Sequence, residues 1–370
     1  MLAVTVAAQL LARNVRGFAP WYTTHVYPVL VGVFARVSGV FPFSVSEIAL
    51  YVAVVWVVAS VVRCVMAAIG TGSIRAKVIK ATQANGATQG NGSSQGGGES
   101  VMCPLVAFAT RCFLFIAVIA FLYTANCGVN YYAAPFSQLE GLVAEPASRE
   151  ALVELCEYLT KRVNEAAGEV YGEAGAAAGT GDAAVAAMVA LGGRYPSLAG
   201  YYPRPKGVWV SRILSVQQLS GVYSPFAVEA NYNREMTAYN IPHTMCHELS
   251  HLRGFMREDE ANFIGFLACI GSEDAYFRYS GWVTGWVYAG NALARADREA
   301  YLRLYGRLDG RVVADLGENN AFWDRFEGKV AEVAEKVNDT YLKANSQSDG
   351  VQSYGRMVDL MLGYGFGERG

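Results

Sequence analysis

Uncharged apolar stretches dominate the first third of the chain, and the patterning changes character after them. From Ile48 to Val62 no residue is charged; Arg63 interrupts, and the apolar run resumes through Ile69. That gives about 22 residues, enough to cross a bilayer core of roughly 30 Å as a helix. Arg63 is tolerable near one end because its stem can snorkel to the headgroups. A second run, Leu105 to Cys127, carries only Arg111. Both stretches outrun most buried core helices, so the pattern predicts transmembrane helices over 47–69 and 105–127. The intervening residues 70–104 read as a loop. Within it, TQANGATQGNGSSQGGGES (82–100) holds too little apolar surface to offset the entropy of ordering it. Arg75, Lys77 and Lys80 face only Glu99 there, so the positive-inside rule places the loop in the cytoplasm and everything after Cys127 on the other side.

Residues 1–46 form a separate amino-terminal segment in this reading. MLAVTVAAQLLA is apolar but too short to span, and Arg13 and Arg16 follow it, the wrong order for a signal peptide. An outward-facing amino terminus needs an earlier span, so the segment is read as a partial span. An interfacial helix over 24–39 and a turn at Phe41-Pro42-Phe43-Ser44 follow it. From about Val129 the pattern turns globular. Residues 147–166 alternate charge and aliphatics as a surface helix, and the Gly/Ala-rich 167–187 reads as an inserted loop or weak helix. Strand character appears at 208–214 and 222–232, with Pro225 demoting part of the second to an edge. Helical spacing returns over 280–307 and 313–343, and in a short amphipathic segment at 354–362.

Composition agrees with a membrane protein: 53% of the 370 residues are hydrophobic and 17% charged, where soluble domains carry about 25% charged. A net charge of −2 removes the electrostatic case for nucleic acid as a partner. Seven cysteines without a C-x-x-C pair indicate neither a disulfide framework nor a cysteine zinc cluster. Histidine is scarce, with four in all, and three of them lie between His243 and His251.

That cluster contains His247-Glu248-Leu249-Ser250-His251, an H-E-x-x-H sequence. On a helix, residues four apart share a face, so both imidazoles can reach one metal, with Glu248 placed to deprotonate a metal-bound water. Two imidazoles and an oxygen ligand suit Zn2+ in a site with an open fourth position. Chance matches and surface histidine pairs are the ordinary alternative. Against it stand the scarcity of histidine, Pro242 just before a helix expected to begin near His243, and Gly254 where the chain must turn. The third ligand is expected from Glu258, with Asn262 four residues on, hydrogen-bonded to a ligand histidine. Glu260 sits about 200° around the helix from Glu258, so both cannot face the metal, and Glu258 is favoured. Arg257 stands where an extended motif would need a third histidine, and a guanidinium does not ligate zinc.

Other residues carry weaker expectations. His243 reads as a capping or solvent-facing histidine, with contact to substrate as the alternative, and Cys246 and Cys269 as buried small hydrophobes, a disulfide between them being conceivable outside the cytoplasm. The segment 226–232 is a candidate edge strand for aligning an extended peptide. Tyr276 and Tyr279 are candidate oxyanion donors, Tyr279 preferred because Ser280-Gly281 suggests a turn that exposes it.

HELSHLRGFMREDEANF, preceded by YSPFAVEANYN and followed by FRYSGW, resembles the bacterial membrane family catalogued as domain of unknown function thirty-eight ten. FPFS near the amino end and SYGRMVDLML near the other extend the resemblance over most of the chain. It implies a membrane-anchored zinc metallopeptidase of the gluzincin type. The E-x-x-A-N box is also similar to the E-x-x-A-N and E-x-x-A-D boxes of other zinc peptidases, which makes Glu258 the ligand; Asn262 in place of aspartate keeps the hydrogen bond and loses the charge. The expected fold is therefore α+β and mostly helical: amino-terminal transmembrane helices, then a zincin-like domain with a small sheet and the H-E-x-x-H helix over 128–370. The expected protein is a multi-pass cell-membrane zinc endopeptidase with an extracytoplasmic catalytic domain. It would hydrolyse peptide or protein substrates by attack of zinc-bound water, with Glu248 as general base. The competing expectation is a zinc-binding membrane receptor or scaffold whose site is catalytically silent. An intramembrane protease is disfavoured by Arg234, Glu235, Arg253, Arg257, Glu258, Asp259 and Glu260 around the motif.

Overall fold

The computed structural model describes residues 1–84, 104–144, 148–172, 180–345 and 356–365. It is mostly helical. Three amino-terminal helices, α1 (Leu2–Asn14), α2 (Phe18–His25) and α3 (Tyr27–Gly39), precede the long α4 (Val45–Ala84) and α5 (Pro104–Tyr123). A short α6 (Phe136–Leu139) leads to α7 (Arg149–Gly172) and α8 (Gly181–Arg194). A three-stranded sheet follows, made of β1 (Lys206–Gly207), β2 (Gly221–Ser224) and β3 (Glu229–Tyr232), with the helical turn α9 (Arg212–Ser215) between the first two strands. The remaining helices are α10 (Asn240–Leu252), α11 (Glu258–Ile270), α12 (Ala275–Ala296), α13 (Arg298–Tyr305), α14 (Gly310–Asp324), α15 (Lys329–Ala344) and α16 (Arg356–Tyr364).

Two helices are long and apolar enough to cross a membrane, over Val45–Arg63 and Val106–Tyr132. They coincide with the expected spans at 47–69 and 105–127, and the stretches are almost entirely exposed. The expected loop 70–104 differs at its start, because α4 runs on to Ala84. The low-complexity segment falls largely on 85–103, outside the described residues. Beyond Tyr123, α5 passes into one wide helical turn, Thr124–Gly128, which carries the chain into the globular part.

Residues 1–46 are not a separate unit. Ala19, Tyr22, Tyr27, Val31 and Ala35 are buried in the same hydrophobic core as Leu249, Phe263 and Trp286. The helix expected over 24–39 breaks at Val26, and α3 packs one side inward while Val29, Val33 and Val37 stay exposed. Within the core, α10 lies between the sheet and α11, α11 packs on α12, and α12 on α7. The expected surface helix is the amphipathic α7, whose Leu152, Leu155, Leu159 and Val163 recur every three or four residues and are buried. Asp274, Asp297 and Asp309 cap α12, α13 and α14 by accepting from backbone N–H groups of their first turns.

The sheet differs from expectation in two ways. Residues 208–214 hold a helical turn, where Ser211 Oγ bonds the Val208 carbonyl and the Arg234 N–H. Residues 222–232 are two antiparallel strands joined through Pro225, with β3 central and parallel to β1. The free edge towards the candidate site therefore belongs to β2, not to 226–232.

One buried carboxylate joins the sheet to α4. Glu229 on β3 accepts hydrogen bonds from Val45 N (3.1 Å), Ser46 N (2.9 Å) and Ser46 Oγ (2.8 Å), and pairs with the ammonium of Lys206. Lys206 also donates to the Ser38 carbonyl at 2.6 Å. The first turn of α4 thus presents its unpaired N–H groups to a negative charge, as helix amino termini favour. Both partners are almost fully buried. Removing one member of such a pair leaves an uncompensated charge and costs about 3–5 kcal/mol. Lys206→Ala should lower the unfolding free energy by about that amount in denaturant titrations in detergent, and an unmoved midpoint would show that the clamp is not structural.

Candidate metal centre

The motif folds as the sequence spacing requires. His247 and His251 lie one turn apart on α10, their rings perpendicular with centroids 4.6 Å apart. After Leu252 the chain must reverse within a few residues to lay α11 alongside. Gly254 makes that turn at φ +107°, a conformation that costs a side-chain-bearing residue, with Tyr27 packed against it. α11 then places Glu258 opposite both imidazoles: His247 Nε2 is 3.4 Å from Oε2 and His251 Nε2 is 3.6 Å from Oε1. The three donor atoms lie within 4.8 Å of one another. A tetrahedral ion with bonds near 2.0–2.1 Å holds its ligands roughly 3.4 Å apart, so this trio is spaced to hold a metal. Glu260 is excluded from it, since its carboxylate accepts from Ser137 N (3.0 Å) and Oγ (2.7 Å) on the far side of α11.

Close approach of the two helices sets this spacing. At Gly265 an added Cβ would lie 3.1 Å from the His247 amide nitrogen and 3.2 Å from His243 Nε2. No larger residue fits there without pushing α11, and Glu258 with it, away from α10. The His251 ring is oriented by its Nδ1, 2.8 Å from the Phe255 carbonyl. A carbonyl only accepts, so Nδ1 carries the proton and Nε2 keeps its lone pair towards Glu258. Asn262 approaches the His247 ring without a well-formed bond: His247 Nδ1 and Asn262 Nδ2 are both buried without a partner among the described residues.

Glu248 faces the sheet. Its carboxylate lies beside the Tyr223 backbone N–H of β2, while Oε2 is buried and unpartnered among the described residues. A Cβ on Gly221 would stand 2.5 Å from Oε1, so the missing side chain makes the room this carboxylate occupies. Burial pushes its pKa up to about 8; the Glu258 charge adds to the rise and His247 opposes it. Burial pulls His251 down to about 4, against the partial opposition of Glu258. Burial also disfavours the charged form of His247, but the Glu258 hydrogen bond and the charges of Glu248 and Glu258 outweigh it and leave its pKa raised.

These groups open into a cleft of about 640 Å³. Its walls are the edge strand β2, the end of the second apolar helix (Cys127, Tyr131), and Tyr288 of α12, with Asn338 and Tyr341 of α15 opposite. His243 also lines it, in contrast to the expected solvent-facing role. It is buried, with Nε2 3.1 Å from the Asn262 carbonyl, and burial lowers its pKa to about 4. Tyr279 does not line the cleft. Ser280-Gly281 is interior to α12 and makes no turn, so Tyr279 is fully buried and its hydroxyl bonds Asp315. Tyr276 likewise lies outside the cleft lining. Tyr288 is the phenol that α12 does bring to the cleft, close enough to Glu258 for that charge to add to the upward push of burial on its pKa. Nothing in GWVYAGN marks it in the sequence, since its position depends on how α12 crosses α11. Cys246 and Cys269 are both buried free thiols.

The shifts fix a pH dependence for the metal-free protein. Glu248 and His247 have raised folded pKa values, so their contribution to stability is present at low pH and lost as pH rises through those values. His243 and His251 have lowered values, and their contribution is complete above the ordinary histidine range near 6.5. Between pH 6.5 and 8 only the first pair changes, so the metal-free protein should lose stability there, by up to about 1.4 kcal/mol per pH unit for each proton. Denaturant midpoints across that window test this, and Glu248→Gln should flatten the slope.

No curated protein and no solved structure matches this sequence. A family profile does, over residues 98–362, a region holding the second apolar helix, the sheet, the whole candidate centre and most of α16. The chain belongs to the family described as protein of unknown function DUF3810.

Proposed function

We propose that this chain is a membrane-anchored zinc metallopeptidase with a zincin-like domain. The observation that carries the reading is the convergence of His247, His251 and Glu258 at one cleft, with the unpartnered carboxylate of Glu248 beside them. Two imidazoles and a carboxylate are a donor set suited to Zn2+, and three protein ligands leave a position for water or substrate. Orphaned buried atoms on His247 and Glu248 fit a group that completes their bonding. Zinc, when bound, supplies a Lewis acid that lowers the pKa of water and polarises a carbonyl.

The chain's own residues then divide the work. Glu248 accepts a proton from the attacking water and delivers it to the leaving amine, a role served by a carboxyl whose pKa lies near neutrality. The free edge of β2, with Val222 partly exposed, offers backbone groups along which an extended peptide can pair beside Glu248. Tyr288 takes the oxyanion-donor role expected of Tyr279, because its phenol faces the cleft. The two apolar helices anchor the chain in the cell membrane, and Arg75, Lys77 and Lys80 favour the cytoplasm for the connecting segment, which leaves the cleft on the extracytoplasmic side.

The full chain purified in detergent should contain close to one zinc per molecule, lost in His247→Ala and Glu258→Ala. In a peptide-library digest, Glu248→Gln should retain zinc and lose cleavage by about 100-fold or more. Equal cleavage by the variant and the parent would sink the assigned mechanism. Zinc retained with no cleavage by either protein would favour the receptor or scaffold reading.

A further inference from the structure

α15 carries an apolar stripe left uncovered among the described residues. Val330, Val333 and Val337 follow helical spacing and are 60%, 60% and 64% exposed. Glu332, Glu335 and Asp339 lie across the helix from it, with Lys336 and Lys343 flanking the stripe. A helix of a soluble domain would bury the valine stripe, yet here the helix turns Ala331, Ala334, Asn338 and Leu342 inward instead, reaching full burial only in its last turn at Leu342 and Asn345. The stripe's own continuation, Tyr341, packs elsewhere. Its hydroxyl is 3.3 Å from that of Tyr123 and 3.0 Å from that of Tyr131, with ring centroids 6.2 and 6.0 Å apart. Those two tyrosines lie towards the carboxyl end of the apolar stretch Val106–Tyr132. Through Tyr341 the uncovered face of α15 therefore meets the carboxyl end of the apolar stretch, whose Phe113, Leu114 and Ile116 are exposed further back along α5.

A second apolar group lies at the same end of the α4/α5 pair. Phe41, Phe43 and Trp209 form an aromatic cluster with centroids 5.5 and 5.6 Å apart. Glu47, in the first turn of α4, fixes that cluster by accepting from Trp209 N (2.8 Å) and Val210 N (2.9 Å). Trp209 is 57% exposed, although large aromatics normally bury most of their area. Val45 at the start of α4 bonds Glu229, and Asn126 just past the end of α5 donates to the Pro225 carbonyl, so both helix ends meet the same β2–β3 hairpin. Amphipathic aromatics at that level are what a membrane–water boundary selects.

We propose that α15 is an interfacial helix whose Val330/Val333/Val337 stripe lies in the headgroup–acyl boundary of the bilayer that α4 and α5 cross. Its charges balance, with Lys329, Lys336 and Lys343 against Glu332, Glu335 and Asp339, so apolar burial and not attraction to anionic lipid holds it there. Because the same helix supplies Asn338 and Tyr341 to the cleft wall, docking holds the cleft mouth at the membrane surface. Resting on the peptidase reading, this makes the substrate class a polypeptide segment lying close to the bilayer.

The test uses the full chain in phosphatidylcholine vesicles, with an environment-sensitive fluorescent residue placed in turn at positions 333, 335 and 116. Lipids bearing a nitroxide near the headgroup should quench position 333 several-fold more than position 335, unchanged by high salt or added anionic lipid. Equal quenching of 333 and 335 by aqueous iodide overturns the proposal. So does shielding of 333 from both quenchers, which would mean that protein covers the stripe. Position 116 reports separately on the span. If a deep nitroxide quenches it while 333 stays iodide-accessible, the anchor stands and the docking fails. If 333 is quenched by shallow lipid and 116 by none, the docking stands and the span fails.

Discussion

Glu229 holds together parts of the chain that would otherwise be unrelated. Its carboxylate takes the Lys206 ammonium from one side and the opening N–H groups of α4 from the other. A buried carboxylate is costly unless charge and hydrogen bonds surround it, so the interaction is satisfied only when strand, loop and helix are in place together. Glu47, in the same first turn, adds a tie in the reverse sense, accepting from Trp209 N and Val210 N of the loop. The long apolar helix is therefore fixed in direction by polar contacts at its first turn. β3, which bears Glu229, is also the strand against which α10 packs. The orientation of the candidate centre and that of the apolar helices are set by one central strand.

Within the centre, electrostatics and sterics act on different sides of α10. Towards α11, absence of a side chain at Gly265 lets the helices approach until Glu258 meets both imidazoles. Towards the sheet, absence of a side chain at Gly221 leaves room for Glu248 against β2. The Glu258 charge raises the cost of ionising Glu248, and His247 is the group that both carboxylates favour in its charged form. Without a metal the centre keeps protons that a bound cation would displace.

Spacing made the local parts of this arrangement legible. H-E-x-x-H, the E-x-x-A-N box and the glycine between them specify two helices and a turn, and periodicity alone separates Glu258 from Glu260. The apolar helices were legible by length, since few other segments stay uncharged for so long. Long-range contacts were not. Ser280-Gly281 looks like a turn, yet it lies inside α12, where a Cβ at Gly281 would fall 2.7 Å from Cys269; that glycine serves helix packing, and Tyr279 points to Asp315 instead of the cleft. Strand-like residues at 208–214 form a helical turn because Ser211 ties the loop to Val208 and Arg234. His243 gave no sign of burial, which depends on the Asn262 carbonyl from another helix.

Tyr27 brings out an ordering in time. Its hydroxyl bonds the Leu252 carbonyl at 2.9 Å and lies 3.2 Å from the Tyr223 hydroxyl, reaching 225 and 196 positions along the chain. Tyr223 in turn donates to the Asn126 carbonyl at 3.0 Å. Contacts so distant in sequence form late, after the loops between them have closed. The ribosome makes α1, α2 and α3 before the strands and α10, and although these helices can pack on one another and on α5, Tyr27 has no partner for its hydroxyl until Leu252 and Tyr223 have emerged. Helices made ahead of the partners that bury them are thus among the last to settle, and the nascent chain must shelter their apolar faces in the meantime.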